Sequence, residues 1–176
     1  MIVFPPAVHI ATVASVVSGS SVAVGAQNLS QFESGAFTGE ISAAMLSELG
    51  CKYALVGHSE RRTQFGESSH CVAEKFVAAQ AVGLIPILCV GETLQQRQQG
   101  QTMAVVAEQI AAVIEQAGLG RVCGAVIAYE PVWAIGTGET ASPQQAQQVH
   151  DSIRAQLGAS GVDTSLLYGG SVNGDN

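Results

Sequence analysis

The chain has 176 residues, of which 47% are hydrophobic and only 12% are charged. It therefore has enough apolar side chains for a core and lacks the composition of a disordered protein. Fourteen acidic residues against seven basic ones give a net charge of −7, which argues against nucleic acid and anionic membranes as partners, because binders of phosphate backbones carry a basic surplus.

A short apolar run followed by a helix-like stretch recurs along the chain. The runs are rich in Val, Ile and Leu and apolar throughout, as expected for parallel strands that are covered on both faces. They cover residues 2–4, 22–25, 53–57, 85–90, 125–129 and 166–168. Their spacing averages roughly thirty residues, which is the length of one βαβ unit.

Helix signals lie between these runs. Ser142, Pro143 and Gln145 have the spacing of a capping box with proline in the first helical position, and Gly158 ends the helix that they predict. The remaining helices are expected at residues 7–17, 42–49, 68–83 and 102–117.

Six βα repeats in succession predict an α/β fold with a parallel sheet. An open doubly wound sheet and a (β/α)₈ barrel both fit this pattern, although no glycine-rich nucleotide-binding motif follows any strand. A barrel requires eight units and typically about 250 residues. We therefore expect residues 1–176 to be a single domain, an incomplete portion of a barrel that belongs to a longer protein.

His58 and Glu130 are suited to proton transfer and follow strands, where function gathers in parallel α/β sheets. His58 precedes a short helix whose N–H groups disfavour a cationic ring, so a neutral hydrogen-bond donor is expected. Glu130 follows a buried run, and desolvation would raise its pKa towards that of a general base. Structural roles fit both residues equally well at this stage. Glu92 also ends a strand, so position alone does not separate it from Glu130.

Two loops complete the candidate site. Residues 131–140 form an apolar loop with the chain's only tryptophan and with glycines at its far side, which predicts a lid that closes and excludes water. The Gly-Gly-Ser turn that ends at Ser171 offers backbone N–H groups to a phosphate. No His/Asp cluster at the strand ends indicates a metal ion, and we expect no cofactor.

The four cysteines are far apart, without a Cys-x-x-Cys pair. That arrangement is typical of reduced thiols rather than of a disulfide scaffold or a zinc site. The apolar residues 1–17 have no basic start and are interrupted by Pro5 and Pro6, unlike a signal peptide. We therefore expect a cytoplasmic protein.

These segments closely resemble the triosephosphate isomerase family, in particular its bacterial form. The matching stretches are residues 35–40, 56–62, 89–93, 128–140 and 168–173, in the family's order and at its spacing, and the resemblance covers essentially the whole chain. It implies that residues 1–176 correspond to part of a TIM barrel, from about its second strand to about its seventh. It also implies an isomerase of glycolysis and gluconeogenesis that interconverts dihydroxyacetone phosphate and glyceraldehyde 3-phosphate through an enediolate.

The resemblance implies a role for each residue that matches the family's site. Glu130 matches the base that moves the proton, and His58 matches the neutral electrophile that stabilises the enediolate. Gly136 in the lid and Ser171 match donors to the substrate phosphate, and Glu60 matches a carboxylate that supports positioning. No metal ligand is implied.

The resemblance also implies a homodimer, because residues 27–40, with Thr38 near their tip, match the loop that inserts into a partner subunit. The family's first strand carries an Asn-x-Lys motif and its last a Gly-Gly phosphate turn, and neither lies within these 176 residues. Poor activity of the chain alone is therefore expected. The alternatives are an inactive remnant and another phosphosugar barrel, such as an epimerase or an aldolase. An aldolase fits badly because Lys52 and Lys75 do not follow strands.

Overall fold

The computed structural model describes residues 1–135, 137 and 139–172. Its strands are β1 (Ile2–Val3), β2 (Ala23–Ala26), β3 (Tyr53–Val56), β4 (Ile85–Val90), β5 (Val126–Tyr129) and β6 (Ser165–Tyr168). They form one parallel sheet in which the strand order is the order along the chain. The predicted α/β fold is confirmed, and the sheet curls as part of a barrel.

The α-helices of the described residues are α1 (Ile10–Val16), α2 (Ala43–Glu48), α3 (Ser59–Gln64), α4 (Ser69–Ala81), α5 (Leu94–Gln98), α6 (Thr102–Ala117), α7 (Leu119–Cys123) and α8 (Pro143–Leu157). Short 3₁₀ turns lie at Ala7–His9, Val132–Ala134 and Gly158–Gly161. Helix α7 was not predicted, since five residues are too few to show a helical period. Nowhere in the described part of the chain is a helix both long and apolar enough to cross a membrane.

The predicted capping box at α8 is confirmed in both directions. The Ser142 hydroxyl accepts a hydrogen bond from the Gln145 N–H at 3.2 Å, and the Gln145 side chain accepts one from the Ser142 N–H at 2.9 Å. Helix α4 begins in the same way, with Ser68 accepting from the Cys71 N–H at 3.2 Å. These side chains satisfy backbone donors that have no partner within the helix.

Alternate residues of β1, β3, β4 and β5 face two different apolar layers. One layer joins strand residues such as Leu88 and Tyr129 to buried helix residues that include Phe76 and Ile110. The other is smaller and contains Ile87, Cys89 and Ala128, packed against partly buried side chains of β1 and β3. Both faces of these four strands are therefore covered by apolar groups, which explains why they read as continuous hydrophobic runs.

A buried ion cluster joins α3 and α4 to the loop after β2. Glu67 Oε1 accepts hydrogen bonds from Lys75 Nζ at 2.6 Å and from Arg61 Nε at 2.5 Å, and Lys75 also donates to Asn28 Oδ1 at 2.8 Å. Burial by itself raises the pKa of Glu67, but the hydrogen bonds from Lys75 and Arg61 outweigh it, and the pKa lies below its ordinary value. The ionised carboxylate therefore stabilises the fold.

The Glu67 carboxylate makes stability sensitive to acid. The pKa of Glu67 is lower in the folded than in the unfolded chain. Its ionised carboxylate therefore stabilises the fold above the unfolded-state pKa of about 4.3, and this stabilisation is lost as the pH falls through the folded-state pKa. We expect Glu67→Gln to lower the free energy of unfolding at pH 7 and to flatten its decline below about pH 4.3. Urea unfolding from pH 3 to pH 7 measures both effects, with the exposed Glu108→Gln as the control. Parallel pH profiles for the two variants would contradict the prediction.

Candidate active site

His58 is separated from the end of β3 by Gly57 and lies at the start of α3. Gly57 between them has a φ of +73°, a conformation that turns the chain sharply and is open mainly to glycine. His58 is the N-cap of α3, and its Nδ1 accepts a hydrogen bond from the Glu60 N–H at 3.3 Å. Because Nδ1 is the acceptor, we assign the proton of the neutral ring to Nε2.

Glu130 directly follows β5, and its carboxylate meets His58 across the end of β4. Glu130 Oε1 is 3.3 Å from His58 Nε2, and Oε2 accepts a hydrogen bond from the Ser59 N–H at 3.1 Å. The residue is only 6% exposed. Two strand ends thus bring an acceptor and a donor into contact, at residues that lie 72 positions apart in the printed sequence.

The environment of Glu130 makes ionisation of its carboxyl group less favourable than it is in water. Burial raises the pKa of the carboxyl group, and the opposing effects of His58 and of the Ser59 N–H offset this only in part. A carboxylate with a raised pKa is a stronger base than one in water, and the neighbouring Nε2–H can donate to an oxygen that gains negative charge. The pair is suited to moving a proton next to a carbonyl group.

The structure separates Glu92 from Glu130. Since Val90 pairs with Tyr129, Glu130 lies opposite Gly91 and Glu92 lies one residue further along, so their side chains point to opposite faces of the sheet. Side chains alternate between the two faces of a strand, so counting residues along β4 and β5 would have placed Glu92 and Glu130 on opposite faces. That count requires the register of the two strands, which the sequence does not show.

Glu92 is fully buried and holds the first residues of the predicted lid. Its Oε1 accepts hydrogen bonds from Trp133 Nε1 at 3.0 Å, from the Tyr129 hydroxyl at 3.1 Å and from Arg97 Nη1 at 3.2 Å. Arg97 also covers the Trp133 ring, with its guanidinium carbon 4.5 Å from the ring centroid. No sequence signal predicted that Glu92 and Arg97 would contact Trp133.

The turn after β6 lies against Glu130 and against the first residues of the predicted lid. A Cβ atom on Gly169 would be 2.9 Å from the Glu130 Cγ, so glycine at this position leaves room for the Glu130 side chain. The Ser171 hydroxyl donates to the Ala134 carbonyl at 2.7 Å. Ser171 is therefore next to the start of the lid, whereas Gly136, the other predicted phosphate donor, lies outside the described residues.

Two cavities flank the His58–Glu130 pair. The larger, of about 370 Å³, is lined by His58 together with Gln27 and Glu40 from the loop after β2. The smaller, of about 170 Å³, is lined by Glu130 and by polar residues that include Arg62. Across the described residues, no three His, Cys, Asp or Glu side chains are grouped so that they could hold a metal ion.

The comparisons with known proteins agree on one family. The family model described as triosephosphate isomerase matches residues 1–176. The triosephosphate isomerase of Dechloromonas aromatica (strain RCB) is 53% identical over 178 aligned positions, which cover 99% of this chain and 72% of that protein. The corresponding protein of Nitrosomonas europaea is 55% identical and is covered to 71%, and that of Alcanivorax borkumensis is 51% identical and is covered to 72%.

The chain belongs to the triosephosphate isomerase family. This is a family of isomerases with the TIM-barrel fold, so the resemblance read from the sequence motifs is confirmed. The chain spans about seven tenths of the length of these triosephosphate isomerases, in keeping with a sheet that forms part of a barrel.

Proposed function

We propose that the chain carries the catalytic pair of a triosephosphate isomerase, which interconverts dihydroxyacetone phosphate and glyceraldehyde 3-phosphate. The observation that supports this most strongly is the contact between Glu130 and His58. The base is desolvated, and the imidazole presents Nε2–H towards it because the Glu60 N–H occupies Nδ1. The substrate class, a triose phosphate, is inferred from membership of the triosephosphate isomerase family.

In the proposed reaction, the Glu130 carboxylate removes a proton from C1 of dihydroxyacetone phosphate. The electron pair of the broken C–H bond forms the C1–C2 double bond, and the carbonyl π electrons move to the C2 oxygen. His58 donates a hydrogen bond from Nε2 to this oxygen and stabilises the enediolate. Return of the carboxyl proton to C2, with transfer of the O1 hydroxyl proton to O2, gives the aldehyde.

Glu130 must change partners before it can act in this way. Its Oε2 accepts from the Ser59 N–H, so the carboxylate has to leave that hydrogen bond to reach C1. We propose that closure of the lid, residues 131–140, favours this movement and excludes water from the enediolate. Ser171 and Gly136 are proposed to donate hydrogen bonds to the substrate phosphate.

The loop after β2 supports a proposed homodimer. Phe32 and Phe37 stack with their ring centroids 3.9 Å apart, and both remain about 40% exposed. An ordered apolar pair on an exposed loop is suited to insertion into a partner. The four free cysteines fit a reducing compartment such as the cytoplasm.

We also propose that residues 1–176 form one domain equivalent to the second to seventh units of the barrel, and that these residues alone turn over slowly. The Asn-x-Lys motif of the family's first strand and the Gly-Gly phosphate turn of its last strand have no counterpart among these residues. Removal of a single preorganised electrostatic group typically costs about 10²–10³ in rate. The six strands β1 to β6 form one parallel sheet in chain order, which supports the one-domain proposal.

Binding of phosphoglycolate, a mimic of the enediolate, tests the site without requiring turnover. At a ligand concentration of about 100 times the dissociation constant, a binding site adds about 2.7 kcal/mol to the free energy of unfolding. We expect a rise in the thermal midpoint with phosphoglycolate and none with glycolate, which lacks the phosphate. Equal midpoints at all phosphoglycolate concentrations would contradict the proposal and favour an inactive remnant.

A further inference from the structure

Strand β4 extends beyond the end of β3. The pairing between β3 and β4 stops at Val56 and Leu88, whereas β4 continues along β5 as far as Val90 and Tyr129. Past Leu88, therefore, the edge of β4 that faces β3 has no neighbouring strand. Buried backbone groups at such an edge require other hydrogen-bond partners.

The backbone N–H and C=O groups of the last β4 residues, and of Gly91 and Glu92 directly after them, point alternately to two sides. The carbonyl groups of Val90 and Glu92 face β5, where they accept from the Glu130 N–H at 2.8 Å and from the Val132 N–H at 3.1 Å. Cys89 and Gly91 consequently face the side that β3 has left. Arg62 Nη2 donates to the Cys89 carbonyl at 3.3 Å, so a side chain replaces the strand at that residue.

Gln109 of α6 performs the same replacement at Gly91, and it does so at both backbone groups. Its Oε1 accepts a hydrogen bond from the Gly91 N–H at 2.9 Å, and its Nε2 donates to the Gly91 carbonyl at 3.1 Å. A side-chain amide carries the same donor and acceptor as a peptide group. Gln109 thus acts in place of one residue of a neighbouring strand.

We propose that Gln109 is a positioning residue for the lid, acting through Gly91 and Glu92. Glu92 follows Gly91 and holds residues 131–135 twice, through its carbonyl to the Val132 N–H and through its carboxylate to Trp133 Nε1. Fixing the Gly91 peptide fixes the position from which both of these hydrogen bonds are made. The inference rests on the proposed function in one respect, namely that residues 131–140 act as a lid.

Trp133 allows this proposal to be tested directly, because it is the only tryptophan and its fluorescence needs no label. We expect Gln109→Leu to increase acrylamide quenching of Trp133 about twofold to fivefold. Without the two hydrogen bonds between Gln109 and Gly91, residues 131–135 should open locally more often and expose the Trp133 ring to acrylamide. The matched control is Gln116→Leu, an exposed position on the same helix, which should leave quenching unchanged. A folded Gln109→Leu variant with unchanged quenching overturns the proposal.

Gln109→Glu provides a second test that does not depend on the folding of the leucine variant. At pH 8 its carboxylate would oppose the Gly91 carbonyl and increase quenching. At about pH 4, below the ordinary glutamate pKa of about 4.3, a protonated carboxyl can donate as the amide does, so quenching should return towards that of the unmodified chain. The unmodified chain and Gln116→Leu correct for any other effect of pH. Quenching that follows the same pH course in Gln109→Glu as in these controls overturns the proposal.

The fluorescence result is independent of isomerisation. If the unmodified chain neither isomerises triose phosphates nor binds phosphoglycolate, the proposed function fails, while the effect of Gln109 on Trp133 remains measurable. If the chain does bind phosphoglycolate and the Gln109 variants leave Trp133 unchanged, the function stands and the positioning role is rejected.

Discussion

Replacement of Glu130 by Gln is expected to lower the rate of triose-phosphate isomerisation by about a thousandfold. The glutamine amide has the same shape and can still accept from the Ser59 N–H, which now binds Oε2, but it cannot take a proton from carbon. Purified chain and variant are compared in a coupled assay, with the exposed Glu108→Gln as the control. Equal rates for the chain and Glu130→Gln, both prepared from a host that lacks its own isomerase, would contradict the assigned base.

The same substitution should leave the fold at least as stable at pH 7. Burial raises the pKa of Glu130, so its ionisation is less favourable in the folded than in the unfolded chain. Above the unfolded-state pKa of about 4.3, the charged group therefore reduces the free energy of unfolding, and glutamine removes that cost. A thermal midpoint equal to or above that of the unmodified chain, together with lost activity, identifies a missing base rather than a damaged structure.

Gly91→Ala is expected to destabilise the fold by at least about 3 kcal/mol. A Cβ atom at this position would lie 1.8 Å from the carbonyl oxygen of Glu130, and a backbone oxygen within paired strands has little freedom to move. The only relief is separation of the β4 and β5 ends, which would also displace the Glu130 side chain. Urea unfolding measures the loss of stability.

Gly120→Ala is the matched control for the change at Gly91. Gly120 lies in α7, and a Cβ atom added there would meet nothing within 4 Å. Alanine in a helix is favoured over glycine by about 0.5–1 kcal/mol, so this variant should be slightly more stable. If the free energies of unfolding of the two variants differed by less than about 1 kcal/mol, the close approach of the strands would not be what requires glycine at position 91.

The sequence predicted the elements better than it predicted the contacts between them. Strand β4 and helix α6 have the predicted limits, because an unbroken apolar run and a sustained helical period mark them. Edge strand β1 is one residue shorter than predicted, since strand ends depend on a partner as well as on side-chain type. The capping box at Ser142 was predictable because all its hydrogen bonds are local.

The candidate site was predictable only in part, for a related reason. His58 and Glu130 could be selected as strand-end residues, but the contact between them depends on how β3, β4 and β5 are aligned. Lys75 looked like an ordinary helix residue, yet it is 3% exposed and paired with Glu67. Gln109 gave no sequence signal at all, because its function depends on β4 extending beyond β3.

The sequential order of the strands has a consequence for synthesis of the protein. Each strand from β2 to β6 pairs with the strand that precedes it in the chain, so a newly made strand finds an edge that already exists. The nascent chain can therefore add one βα unit at a time as it leaves the ribosome, since each strand from β2 to β6 finds its first partner already made. Ribosome pausing between units would be tolerated, because each pause leaves a growing sheet rather than an unpaired segment.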